Sequence, residues 1–523
     1  MKKTNLLLLI FFSIAYTTCA YAQIELQVGK PYTVVDARTK MYFYENNEML
    51  SVKIDGRKVV IQKMSTDQLT QLSKKTYEDF PDKFTYEHII QYDGYICLFY
   101  SVYDKPNETE QLFYRKIAFK DGIFVGAGIR ILAVNKKLSY YSFNSSYDKS
   151  KLMIQYRLKA ETRNDDKSFD IIGFNMFNEK LDLLWAKEVT MPYTEKKMDN
   201  LDFSVDTEGN AYMLAKVYND NTTDDVKRGK EEANYHLELL KFKAQTTELS
   251  ISQISLQEKF INDIAIYNSP KDYLFCTGTY NKKANSDAVD GVFVFKVTEA
   301  GKIYDLSTHE IPLEIINQYI SEKDQRKNEK RDDKKGDVQL RNLDLDKIVV
   351  EEDGSILLVA ERFHIESRTV YYSNGSSNTT YYYHYDDMLL TKIDPNGNLL
   401  WMKKLPKRQV GGASKGGMSY KFIAEKNNYY MLYLDNVKNM NLTVDQAPEY
   451  HKDGAGGFLT AYQVSKDKGA VNKISVLDTR DVNGIEIYQF APSRILPLEE
   501  NKIILEFYKK GKEDLLIKAT LKD

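Results

Sequence analysis

The chain has 523 residues, with 73 Lys plus Arg against 75 Asp plus Glu and a formal charge of -2 at neutral pH. Its content of 42% hydrophobic, 28% charged and 12% aromatic residues excludes both a disordered chain and a multi-span membrane protein. No basic excess points to nucleic acid as a partner, and the 39 Tyr and 24 Phe against 14 Met favour strands over helices.

The N-terminus reads as an export signal. Lys2 and Lys3 precede an apolar run from Leu6 to Ile14, and Ala20-Tyr21-Ala22 supplies a small-x-small cleavage site before Gln23. The run is shorter than the roughly 20 apolar residues that a bilayer needs. Residues 1–22 are therefore expected to be a signal peptide, with 23–523 forming one domain that has no transmembrane segment. The expected location is the periplasm, the cell surface or the exterior. A rival reading makes Cys19 a lipid anchor, but Tyr16-Thr17-Thr18 departs from the small-residue pattern such anchors need. The signal ending resembles those of Bacteroidota, whose mature chains often begin with Gln. At the level of architecture only, the chain resembles exported proteins of that group. Cys97 and Cys276 sit inside apolar runs and read as buried thiols, not as a disulfide.

Two kinds of turn alternate along the chain. The first kind falls near 47, 93, 148, 208, 270, 353, 427 and 500, as in Asp206-Thr-Glu-Gly-Asn210 before an apolar run. The second falls near 66, 121, 178, 245, 300, 396 and 467, as in Asp394-Pro-Asn-Gly-Asn398 after a Lys-containing strand. Gly and Asn stand where tight hairpins need positive φ. The step from a second turn to the next first turn is 25 to 33 residues in six of seven cases, so the variable length lies between two inner strands. Four strands per unit, a to d, account for this: the first turn joins a to b and the second joins c to d. Leu183-Leu-Trp185 and Leu399-Leu-Trp401 support the register, each after a second turn and each in a strand that is expected to close at Pro192 or Pro406. The array predicts an all-β fold, a β-propeller of four-stranded blades. Eight blades is the reading, or seven if one unit is misread. The last unit lacks its fourth strand, and Ile24 to Val28 is the spare strand expected to complete it.

The a–b and c–d turns share one face and are short. The b–c hairpins and d–a crossings share the other face and carry the long insertions at 218–236, 317–342, 364–387 and 436–457. Loops on a rigid scaffold are where binding residues gather. The 321–337 stretch is dense in both charge signs and reads as a solvated, partly helical segment. The 364–387 segment clusters Tyr371, Tyr372, Tyr381, Tyr382, Tyr383, His384 and Tyr385, and Tyr450 and His451 lie in the next insertion. Tyrosine gives stiff contact area with a hydroxyl, so these residues are the expected binding surface for a protein or glycan. An extended ribbon of ordinary strand tyrosines is compatible with the same sequence.

Chemical motifs are sparse. His364, His384 and His451 are the histidines that neighbouring blades bring nearest to one another, but no HExxH and no zinc-spaced Cys pair is present. No metal or cofactor is expected, and histidines without a ligand are the plainer reading. Asp394 opens a segment like the start of a calcium loop that lacks its closing Glu, so a Gly turn is expected. Asp202, Asp263, Asp344 and Asp346 recur where strand a would enter a central channel, and alternation puts Asp344 and Asp346 on one side. Paired carboxylates there would suit a polysaccharide hydrolase or lyase, while solvated strand ends are the alternative. No nucleophile elbow, P-loop or dinucleotide motif accompanies them. The expectation is a non-catalytic binding or scaffold protein, with the carboxylate enzyme second.

Overall fold

A two-residue hairpin needs positive φ at both central positions to match the twist of its strands. Asn46 and Asn47 supply it at φ 50° and 60° in the computed structural model of the chain, as do Glu500 and Asn501 at 57° and 56°. The structure describes residues 24–521 except 159–165, 228–229, 231, 245, 247–248, 255–258, 272, 284–287, 299–301, 337, 413–415, 444–445 and 453–455. The signal-peptide reading of 1–22, with Cys19, lies outside the described residues.

The architecture is all-β and propeller-like. Four-strand antiparallel meanders occupy 39–77, 85–134, 141–194, 198–254, 260–310, 343–405 and 421–478, here called sheets 1 to 7. Sheet 8 is built from both chain ends. Ile487–Gln489 and Ile495–Pro497 pair with Lys502–Lys509, which pairs with Glu513–Thr520. Leu26–Val28 then lies beside that last strand, with Leu26 opposite Ala519 and Val28 opposite Ile517, and Tyr32–Thr33 continues the pairing.

The b and c strands are buried along most of their length, because a neighbouring sheet covers each face. Apolar clusters join sheet 1 to 2, 2 to 3, 3 to 4 and 4 to 5. Others join 5 to 6, 6 to 7 and 7 to 8. A further cluster sets Ile504 and Leu516 of sheet 8 against Met49 and Met64 of sheet 1, so the contacts run in a cycle. Cys97 lies in sheet 2 and Cys276 in sheet 5, both free and buried.

Polar ties reinforce the same order. Trp185 donates from its indole nitrogen to the Gly209 carbonyl of sheet 4 (3.0 Å), and Trp401 donates to that of Lys466 in sheet 7 (3.2 Å). The strand after Trp401 ends before Pro406, but the one after Trp185 runs past Pro192 to Thr194. It tolerates the proline because it is an edge strand whose ladder has already shifted register. Asp394 accepts from the Asn396 and Asn398 amides, which makes its segment a turn.

Sheets 8 and 1 also share a buried ion pair. Lys53 Nζ lies 2.6 Å from Glu506 Oε1 and 3.6 Å from Asp514 Oδ2, with all three side chains closed to solvent. Tyr32 and Tyr42 donate their hydroxyls to Glu506 at 2.7 and 2.5 Å. Burial opposes the charge on Glu506, but Lys53 and the two hydroxyls outweigh it and hold the carboxyl below its usual range. A depressed folded-state pKa gives stability that is present above the unfolded value, about 4.3, and is lost as pH falls through the folded value. Lys53→Met leaves Glu506 buried without its cation, so unfolding by denaturant at neutral pH should show a loss of about 3–5 kcal/mol. That deficit should shrink as pH falls and close only below the depressed folded-state pKa of Glu506, where the carboxyl is neutralised in both proteins.

Candidate functional site

Antiparallel order places every b–c hairpin and d–a crossing at one end of the sheets, and the long connections all lie there. The crossing from sheet 5 to sheet 6 contains a short helix, Leu313–Ile316, whose Ile315 and Ile316 pack on Leu340, Leu389 and Met402. Glu322–Lys335 follows as an exposed helix, capped by Ser321 at its start and by Gly336 at φ 55° at its end. The charged crossing is thus helical over most of its length. The insertion in sheet 7 is folded around Asn439, which bonds to Asp435 and to the backbone of Glu449.

The 364–387 segment is not a loop. Strands b and c of sheet 6 run through it as Ile356–Tyr371 and Ser377–Ile393, twice the usual length here, and leave only 372–376 as a turn. Directly opposed residues share a face of such a ribbon. Phe363, Ile365, Tyr371, Tyr381, Tyr383 and Tyr385 fall on one face, and His364, Glu366, Arg368, Tyr382 and His384 on the other. Tyr371 is 81% exposed, Tyr381 56% and Ile365 50%, and Tyr372 is exposed at the tip. Arg368 pairs with Glu366 (2.9 Å) and lies over the Tyr382 ring.

Extra strands brace the foot of the ribbon. Gln409–Gly411 pairs with residues 383–385, and His451–Lys452 pairs with it in parallel. Tyr385 is buried there against Phe363 (ring centroids 5.0 Å), and His451 is buried as well. These two expected binding residues belong to the bracing, while Tyr371, Tyr372 and Tyr381 are free to meet a partner. Tyr382 and Tyr383 are half-buried, and Tyr450 sets its ring edge against His384 (5.9 Å) with the Arg408 guanidinium over it. Lys407 is wholly buried beneath, 2.7 Å from Glu361 and donating to the Tyr385 carbonyl.

His364 and His384 are cross-strand partners, and their rings stack at 4.4 Å and 8°. Asp386 lies two residues beyond His384, 3.9 Å from His364 Nδ1, and one ligand-type atom from each of the three side chains falls within 4.8 Å of the others. The sequence grouping of His364, His384 and His451 is thus replaced by one in which Asp386 is the third member. Burial pushes the Asp386 carboxyl up to about 6, with Asp387 adding to it and Arg362, Lys407 and His384 opposing it. Burial lowers the His364 pKa, helped by His384 and Arg362.

The inner-strand aspartates act mainly as ties. Asp202 of sheet 4 accepts from the Ile266 amide of sheet 5 (2.8 Å), and Asp263 of sheet 5 accepts from the Leu345 amide of sheet 6 (3.3 Å). Both stand just after a β-bulge at corresponding places in strand a. Asp346 is itself in a bulge and accepts from the Tyr420 hydroxyl of sheet 7 (2.7 Å). That bulge interrupts the alternation from which Asp344 and Asp346 were expected on one side. The Asp344 pKa is raised by burial, then by Asp263, Glu361 and Asp346.

A cavity of about 430 Å³ opens beside strand a of sheets 3 and 4, lined by Arg157, Asp170, Glu195, Asp199 and Asp202 among others. Arg157 spans Asp170 (2.7 Å) and Glu195 (2.9 Å). Burial and then Asp170 raise the Glu195 carboxyl against the pull of Arg157. Sequence reasoning named Asp202 but missed Arg157, Asp170 and Glu195, because the strands that carry them meet only in the folded sheet.

No protein-family model matches the chain, and no curated protein matches it. Among solved structures it is similar to the polysaccharide lyase Uly1, at 10% identity over 92% of this chain and 90% of that one, TM-score 0.36. It is similar to a post-proline cleaving enzyme from Rickettsia typhi at 12% identity over 92% and 58%, TM-score 0.37. An acylaminoacyl peptidase of Pyrococcus horikoshii gives 12% over 93% and 59%, TM-score 0.36. The chain spans less than two thirds of either peptidase, and at these values no activity transfers to it.

The tie role of the aspartates has a direct consequence for stability. Asp202→Ala and Asp263→Ala should each cost about 1.5–3 kcal/mol, the range for a hydrogen bond to a charged acceptor, when unfolding is followed in urea. Asp202→Asn, which keeps an acceptor oxygen, should cost less.

Proposed function

We propose that this chain is an exported, non-catalytic recognition protein of the cell envelope or exterior, and that it grips a protein partner through the ribbon of sheet 6. The carrying observation is the ribbon itself: two strands that continue past their sheet and present exposed tyrosines and aliphatic side chains on a braced foot. Beyond the foot both edges lack a neighbouring strand among the described residues, so backbone pairing adds to the side-chain surface. A protrusion with two flanks suits a groove on a protein better than it suits a sugar, which is held in a concavity. Export rests on the N-terminal pattern of residues 1–22.

A photo-crosslinking side chain placed at Tyr371 or Tyr381 in the source cell should give one discrete protein adduct, and one placed at Asn47, on the short-turn end, should not. Replacing 366–382 by Asn-Gly should abolish the adduct made from a probe at Tyr383 and leave the far-ultraviolet dichroism of the sheets in place. Once the partner is in hand, Tyr381→Ala should weaken binding by at least about 30-fold, the size of an interface hot spot. Equal adducts from Asn47 and Tyr381, or capture by a glycan array with no protein adduct, would overturn the protein reading.

The channel-side cavity favours a second reading, a polysaccharide hydrolase or lyase. Glu195, whose carboxyl is raised by burial and by Asp170, is the candidate general acid, and Asp199 and Asp202 lie in the same cavity as candidate bases. Turnover of any member of a panel of acidic and neutral polysaccharides, lost in Glu195→Gln, would promote this reading. No turnover across the panel rejects it.

A further inference from the structure

We propose that His364, His384 and Asp386 form a binding site for a divalent transition-metal ion of the zinc type at the foot of the ribbon. Two imidazoles and a carboxylate are a ligand set that zinc accepts, and zinc sites with three protein ligands leave a fourth position open. The three side chains stand on rigid strands: the histidines are directly opposed, and Asp386 follows His384 on the same strand.

The site has the marks of one built for a ligand. Asp386 is 5% exposed, and its Oδ1 has no hydrogen-bond partner. Nδ1 of His364 and both ring nitrogens of His384 are likewise buried without one. Four unsatisfied polar atoms in one small volume are costly unless something binds there. A cation satisfies Asp386 Oδ1 and one nitrogen of each ring, since each neutral histidine offers one lone pair. The neighbouring carboxylate, Asp387, is already engaged by Arg362 (3.4 Å) and Lys404 (3.5 Å). Glu361 is engaged by Lys407 (2.7 Å). Asp386 is thus the acid left for the metal, while the nearby cations have partners of their own.

The outer contacts fit as well. Glu366 Oε2 lies 3.4 Å from His384 Nε2, outside hydrogen-bond geometry as the side chains stand but near enough to take up a proton held on that nitrogen once the ring turns toward a metal. That leaves His384 Nδ1 for the metal. Bonds of about 2.0–2.1 Å to zinc require the ligand atoms to close from within 4.8 Å to roughly 3.3 Å. That closure has to come from side-chain rotation of the stacked rings and of Asp386 on strands that stay in place. A bound ion clips the two strands of the ribbon together at its base, and its open position is available to water or to a group on whatever the ribbon meets. The site stands on its own observations and does not depend on the partner proposed above.

The test uses the full, tag-free chain stripped with chelator. Equilibrium dialysis against Zn2+ at micromolar concentration should leave one equivalent bound, and titration with Co2+ should give the intense visible absorption of a site with few ligands. His364→Gln, His384→Gln and Asp386→Asn should each weaken Zn2+ binding at least about tenfold, whereas His236→Gln should not change it. Circular dichroism checks that each variant is folded. Parent protein that keeps no zinc, or shows only the pale spectrum of hydrated Co2+, overturns the proposal without reference to any variant. Zinc retained undiminished by folded His384→Gln overturns it too.

Discussion

The fold depends on a strand from one end of the chain covering an edge left open at the other. Glu513–Thr520 is the third strand of its sheet, and without Leu26–Val28 it would present a row of unpaired backbone groups to solvent. The same N-terminal segment carries Tyr32 into the ion pair of Lys53 and Glu506, so a backbone ladder and a buried charge fix one junction together. Side chains from the two paired strands also reach across to sheet 1: Gln27 donates to the Asp67 carbonyl (2.7 Å) and Lys518 to that of Thr66 (3.0 Å). A buried ion pair adds little net stability over an apolar contact of the same shape, but it tolerates the loss of a partner badly. Lys53 and Glu506 thus tie sheet 1 to sheet 8 at the place where the two ends meet.

Rigidity at the sheets is what permits growth at one end of them. The short turns are locked by asparagine, glycine and aspartate chemistry and have no room to vary. Connections at the opposite end are free to lengthen, and the four long ones are tied back by buried polar contacts: Asn234 in sheet 4, Asn439 in sheet 7, Lys404 beneath the crossing, and Lys407 beneath the ribbon. The ribbon is therefore a stiff projection. A stiff projection loses less entropy on binding than a loose loop, and this is why its tyrosines are better placed for recognition than their number alone would suggest.

Much of the fold was legible because its signals are local. Each hairpin announces itself within five residues, as in Asp206 to Asn210, and the interval between turns then counts the strands. What was not legible depends on contacts across the sheets. Lys53 and Glu506 are 453 residues apart, and nothing near either predicts a partner. The β-bulges at Leu201, Asn262 and Asp346 break the two-residue period, so the facing of the inner aspartates could not be read from alternation. The stacked histidines are an intermediate case. His364 and His384 lie equally far from Asn374, at the centre of the Ser-Asn-Gly tip, so a hairpin centred there pairs them. A ribbon is one reading the sequence allows for this segment and is what forms, but without its register drawn, that symmetry and Asp386 with it are missed.

The central claim is that the two termini join in one sheet, in a stated register. Gln27 and Lys518 are opposed across that junction, at a spacing that a disulfide spans. A Gln27→Cys, Lys518→Cys double variant, oxidised in the folded state and mapped by peptide mass spectrometry, measures the claim directly. A rapid bond within one chain is expected, with Cys97 and Cys276 still reduced. Bonds formed only between chains, or only after unfolding, would contradict it.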